Sequence, residues 1–107
     1  MTGLAKRRFL EDKIFHGLRN LNDGFDTLSI SYFSEEDFAV VLDRAAQFNL
    51  GIYGIEPWLN GKFYDVLTYK DFEKEPTDES WYRLAFEQFK SLNQELQYAA
   101  SYYIPDI

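Results

Sequence analysis

Twenty of the 107 side chains are aromatic rings, and none is a cysteine. A chain of this length closes one core and has little surplus surface to bury. Without disulfides or thiolate–zinc staples, that core must hold by packing alone. Rings are the largest packing units available, so the fold must sandwich them between layers. The hydrophobic fraction of 46% and charged fraction of 27% place the chain among globular proteins.

One strong local signal is a turn. Asn60-Gly61 stands between two aromatic-rich stretches, 52–58 and 62–69, and both turn residues tolerate positive φ. A hairpin is predicted there. Pro57 has no N–H to give a ladder, which places the first of these strands at an edge or ends it. Gly54 marks a bulge or a close approach. Segment 25–33 alternates Leu28, Ile30 and Tyr32 with Thr27, Ser29 and Ser31, the period of a half-buried strand.

Helical periods occupy the rest. In segment 3–20, Leu10, Ile14, Phe15, Leu18 and Leu21 step mostly by three and four, and Asn22, Asp23 and Gly24 end the run. Ser34, followed by Glu35, Glu36 and Asp37, is a capping sequence on an electropositive helix start. Phe38, Val41, Leu42, Ala45 and Ala46 then share one face, and Asn49 or Gly51 can end the helix. Residues 70–77 read as a charged loop. Thr77 or Asp78 caps a last helix, whose stripe runs Trp81, Leu84, Ala85, Phe89, Leu92, Leu96, Ala99 and Tyr103. Pro105 ends regular structure.

These elements fall in the order α-β-α-β-β-α. The chain is expected to form a single α+β domain over 1–107, with helices packed on a small mixed sheet of about three strands. The first strand and its crossover helix would make a parallel, right-handed unit. No repeat or linker divides the sequence.

Charge narrows the partners. The net charge is −7, but residues 1–19 carry +3 (Lys6, Arg7, Arg8, Lys13 and Arg19 against Glu11 and Asp12) and the remainder −10. On a helix, Lys6 and Lys13 fall together while Arg8 and Arg19 fall on another side, so no continuous basic face forms. Nucleic acid is not an expected partner. No stretch approaches ~18 uninterrupted apolar residues or resembles a leader, so no membrane partner is expected either. The lack of cysteine suits a reducing compartment, and a cytoplasmic location is expected.

Reactive groups are scarce. His16 is the only histidine, and no His-x-x-x-His or Glu-x-x-His spacing surrounds it. The serines lack a nucleophile-elbow context. No phosphate loop, dinucleotide fingerprint or calcium loop is present, and the acids of 71–79 are not at calcium spacing. No metal, cofactor or catalytic group is expected.

The hairpin holds the remaining chemistry. Counting from its turn, Leu59 faces Lys62 and Glu56 faces Asp65. Two opposed acids would raise one pKa, enough for acid–base work or a hard cation. A single-residue slip would send the acids to opposite faces. The plainer alternative is two solvated acids on an open sheet face, or one paired with Arg44 or Lys62. Strict alternation groups Trp58, Phe63 and Tyr69 with these acids and sends Tyr53 and Tyr64 to the other face, unless a bulge resets the strand.

The expected binding residues are therefore Glu56, Trp58, Asp65 and Tyr69. Large stiff rings beside acids suit a basic protein partner. The reading is a non-enzymatic protein-binding module of the inhibitor, immunity or adaptor kind. The alternative is a small-ligand protein or minor enzyme with Glu56 and Asp65 in an aromatic-lined cleft between sheet and helices. The apolar tail 98–107 packs on its own domain or sets Tyr102, Tyr103 and Ile104 in a homodimer seam.

Overall fold

Each helix begins where a short polar side chain takes up its free N–H groups. In the computed structural model, which describes residues 2–105, helix α1 (Gly3–Phe9) starts at Thr2, whose hydroxyl accepts from Ala5 N at 3.1 Å. Helix α2 (Glu35–Gln47) starts at Ser34, whose Oγ accepts from Asp37 N at 3.1 Å. Helix α3 (Glu79–Lys90) starts at Asp78, which accepts from Ser80 N at 2.9 Å. Each cap satisfies a donor that the helix itself cannot. The expected inward face of α2 is the observed one, with Phe38, Val41, Leu42 and Ala45 buried.

The first helix is shorter than its period suggests. After Phe9 it widens into one π turn (Leu10–Ile14), and Gly17, at φ 76°, turns the chain away. Arg44 of α2 takes over the freed carbonyls: its Nη1 donates to Ile14 O at 3.0 Å and His16 O at 2.6 Å.

Strand β1 (Gly51–Leu59) lies at the centre of an antiparallel four-stranded sheet. On one side it pairs with β2 (Lys62–Phe63) and β3 (Leu67–Thr68), and on the other with β4 (Leu96–Tyr103). Asn60 at φ 52° and Gly61 at φ 75° make the tight turn the sequence predicts, with Trp58 opposite Phe63 and Leu59 opposite Lys62.

The α+β class is as read from the sequence; the element order is not. It runs α-α-β-β-β-α-β, and the sheet is antiparallel throughout rather than mixed. Segment 25–33 is not a strand. Its backbone pairs with the sheet through one bridge, Phe33 to Tyr98, so no parallel crossover exists. The last helix stops at Lys90, with Asn93 at φ 54° in the break, and its expected second half is β4. Leu84 and Leu92, which the helical stripe counts as apolar contacts, are exposed. Eight residues of ladder against β1 outweigh the helical period there.

Pro57 is not at an edge. Its carbonyl accepts from Tyr64 N at 3.1 Å and Asp65 N at 3.4 Å, so its ring nitrogen points to the same side. Toward β4 it sits opposite Tyr98, whose own N–H turns away to Phe33 O. No ladder bond therefore needs the missing proton.

The core lies between the sheet and helices α2 and α3. Ile52, Ile55, Leu96 and Tyr98 face Phe38, Leu42, Trp81, Tyr82, Phe86 and Phe89. Phe38 stacks on Tyr98 with centroids 5.1 Å apart, and Phe86 meets Tyr98 edge-on at 5.2 Å. Each such buried ring contributes roughly 1.5–3 kcal/mol. Rings thus fill the interlayer space where the cleft reading would place a ligand. Among the described residues no helix is long and apolar enough to cross a membrane. The tail residues Asp106 and Ile107 lie outside the described residues.

Candidate functional site

The sheet has a second face, away from the helices, and strand alternation decides what reaches it. Along β1 and β4 the residues pointing there are Gly54, Glu56 and Trp58, paired with Ser101, Ala99 and Gln97. A bulge between Ile52 and Gly54 resets the strand. It brings Tyr53 onto this face, where its ring meets Tyr69 at 6.1 Å and Tyr103 at 6.0 Å.

These residues frame a groove of about 430 Å³. Gly54, Ala99 and Ser101 form its floor, Tyr53, Thr68 and Tyr69 one wall, and Ile30 and Val66 its rim. Glu56 and Lys70 are its charged members. Tyr69 is held by the 3₁₀ turn Tyr69–Phe72, whose start is tied by Asp71: Thr68 N donates to Asp71 Oδ2 at 2.8 Å, and so does the Thr68 hydroxyl at 3.3 Å. The Lys70 ammonium lies 5.9 Å above the Tyr69 ring, so the groove wall already accommodates one cation.

Glu56 is fixed from beside the groove. Its Oε1 accepts from Trp58 Nε1 at 2.8 Å, which leaves the second oxygen available. Trp58 in turn packs under the long loop before α2, against Tyr32 at 5.4 Å and Phe25 at 5.6 Å, with Phe63 edge-on at 6.5 Å. Tyr32 is buried and its hydroxyl donates to Asp26 Oδ2 at 2.5 Å. Burial, that hydrogen bond and the charges of Asp26 and Glu56 all push the Tyr32 hydroxyl far above its ordinary pKa.

The four residues expected from the sequence are thus divided. Glu56 and Tyr69 line the groove, and Trp58 stands behind Glu56 as its support. Asp65 is elsewhere. The ladder gains one residue between Phe63 and Leu67, so Ile55 faces Leu67 and Gly54 faces Thr68, and no register sets Glu56 against Asp65. Asp65 is exposed, and its Oδ1 accepts from Val66 N at 2.7 Å.

Sequence reasoning missed Tyr53, Lys70, Ile30, Asp26 and Tyr32. A signal existed only for Tyr53, because Gly54 marks a bulge and a bulge would turn Tyr53 over. Asp26 and Tyr32 read as strand residues, and nothing local shows that the loop folds over Trp58. Of the tail, Ile104 is buried and Tyr102 packs on Phe15 at 5.7 Å, so only Tyr103 of that trio is exposed. His16 is exposed, and among the described residues no group of three His, Asp or Glu side chains could hold a metal ion. The chain matches no family model, no curated protein and no solved structure.

Proposed function

We propose that this chain is a non-enzymatic binding module that receives a basic segment of a protein partner in the open-face groove. One observation carries the reading: a carboxylate with a free oxygen, Glu56, stands in a groove walled by Tyr53 and Tyr69. A lysine or arginine side chain laid there would meet the carboxylate at its head and ring faces along its stem. The surplus of acids over the last 88 residues, −10 in all, would draw such a partner in from a distance.

The test uses an isotopically labelled chain and a short lysine-rich peptide as probe. Expected are shifts confined to Gly54, Glu56, Thr68, Tyr69 and Ser101, weakening with salt and reduced on the order of tenfold in affinity by Glu56→Gln. Shifts spread over the whole acidic surface, or unchanged by that substitution, would overturn the reading.

A second reading has one observation behind it. A groove of about 430 Å³ is of the size that takes small ligands, and a small organic cation would find the same groups. A monoamine that binds as tightly as the peptide would favour it.

A further inference from the structure

Segment 29–33 has the alternation of a strand but makes a single bridge. There Phe33 N donates to Tyr98 O and Tyr98 N to Phe33 O, both at 2.8 Å. An antiparallel ladder continued in that register would set Ser31 against Ala100, Ile30 against Ser101 and Ser29 against Tyr102. In a strand, the backbone groups of Ala100 and Tyr102 point the same way as those of Tyr98, away from β1. Among the described residues, none of the backbone groups of Ser29 and Ser31, nor these outward groups, has a hydrogen-bond partner. A cavity of about 190 Å³ lies beside the two segments, with 29–31 on one side, 100–102 on the other, and Lys6, Leu10, Phe15 and Ile104 closing it.

The two segments thus stand in the register of a ladder that is not made, and Asn22 bonds the loop before it. Asn22 Nδ2 donates to Thr27 O at 3.0 Å and to Ile30 O at 2.9 Å, while its Oδ1 accepts from Gly24 N at 3.0 Å. Asn20 bonds the segment as well, accepting from Tyr32 N at 3.0 Å. The two Asn22 bonds tie together carbonyls that an extended strand would send to opposite sides, so 27–30 is curled. An edge strand with unpaired backbone groups next to a segment in register is a pairing left unmade.

We propose that 29–33 is a strap with two positions: clasped by Asn22, as seen here, and zipped onto β4 as a fifth strand. Ile30 lines both the cavity and the groove beside Glu56. Zipping would draw Ile30 against Ser101 on the open face and shut that end of the groove. This last consequence rests on the groove being the binding face; the strap itself does not.

The experiment is a cross-link in a chain that has no other thiol. Ile30→Cys with Ser101→Cys places sulfurs at a non-hydrogen-bonded antiparallel pair, where zipped Cα atoms lie about 4.5 Å apart, within disulfide range. Expected is a disulfide under mild oxidation of the folded protein, with amide exchange at Ser31, Ala100 and Tyr102 slowed on the order of tenfold or more. Thiols that stay free, or a disulfide without that protection, would overturn the strap. Asn22→Ala should raise the same protection with no cross-link, and a folded Asn22→Ala chain with unchanged exchange would also overturn it. Should that variant not fold, the cross-linked pair, which keeps Asn22, decides alone. The lysine-rich probe separates the two claims, with the unsubstituted chain as reference, because Ile30 and Ser101 themselves line the groove and Asn22 does not. Tighter binding to the unsubstituted chain than to the folded Asn22→Ala chain supports the gate. Equal binding to both overturns the gate. No binding to the unsubstituted chain counts against the proposed function and leaves the strap to the exchange data.

Discussion

Tyr98 and Tyr82 are both buried, and they differ by one bond. The Tyr98 hydroxyl donates to Glu35 Oε2 at 3.0 Å, whereas the Tyr82 hydroxyl has no partner among the described residues. Removing the first oxygen deletes a charge-assisted bond; removing the second deletes an unmet desolvation cost. Tyr98→Phe should therefore lower stability by about 1–2 kcal/mol, while Tyr82→Phe leaves it unchanged or raises it. Urea unfolding of both variants checks this, and an equal loss in the two would contradict it. Gly61 gives a second residue-scale test. Its φ is 75°, and a Cβ there would come within 3.2 Å of Phe25 Cβ. Gly61→Ala should cost about 1–2 kcal/mol. It should also disturb Trp58 fluorescence, because Phe25 packs on that ring. At this scale the sequence was legible where the physics is local. Ser34 and Asp78 cap because their side chains reach donors three or two residues on. Glu56 and Asp65 were not legible as a pair, since a single extra residue in the ladder moves every later side chain.

Element boundaries depend on what each segment finds to pair with. The period of 81–103 is helical in pattern, yet only Glu79–Lys90 forms α3. Beyond it, Leu96–Tyr103 pairs along eight residues with β1, whose long edge takes it as a strand. Segment 25–33 shows the opposite outcome. Its alternation is clear, but Asn22 ties Thr27 O to Ile30 O, carbonyls that an extended strand sends to opposite sides, and so bends the segment locally. The π turn at Leu10–Ile14 is a third case, stabilised by an arginine thirty residues away in the chain. Arg44→Ala should leave the carbonyls of Ile14 and His16 to water and fray helix α1. Loss of exchange protection in 3–14, with little change in α3, is the expected result. Protection unchanged there would show that the guanidinium contributes nothing to the helix end.

For the molecule as a whole, the alkaline limit is set by its buried phenols. Burial pushes the Tyr82 hydroxyl up to about 12, and burial with a carboxylate partner pushes Tyr32 and Tyr98 higher still. In the unfolded chain each titrates near its ordinary value of about 10. Between those values the unfolded state has lost protons that the folded state keeps, so unfolding is favoured as pH rises. Stability should be fully present below about pH 10 and fall through pH 12, by up to ~1.4 kcal/mol per pH unit for each buried phenol. Tyrosinate absorbance should rise in two stages: exposed rings first, then the buried ones together with loss of helical signal. Smooth titration of all tyrosines with the fold intact would refute this.

The sequence by itself determined the class, the hairpin turn, the starts of α2 and α3 and the inward face of α2. All of these follow from interactions within a few residues: caps, periodicity and the φ tolerance of Asn60-Gly61. The tertiary structure alone decided that Pro57 sits in the central strand, that 96–103 is a strand and that Asp26 and Tyr32 lie beside Glu56. Those outcomes are set by backbone groups far apart in the chain finding one another. The free energy of such pairings depends on which partner is left unpaired, and no local pattern records that.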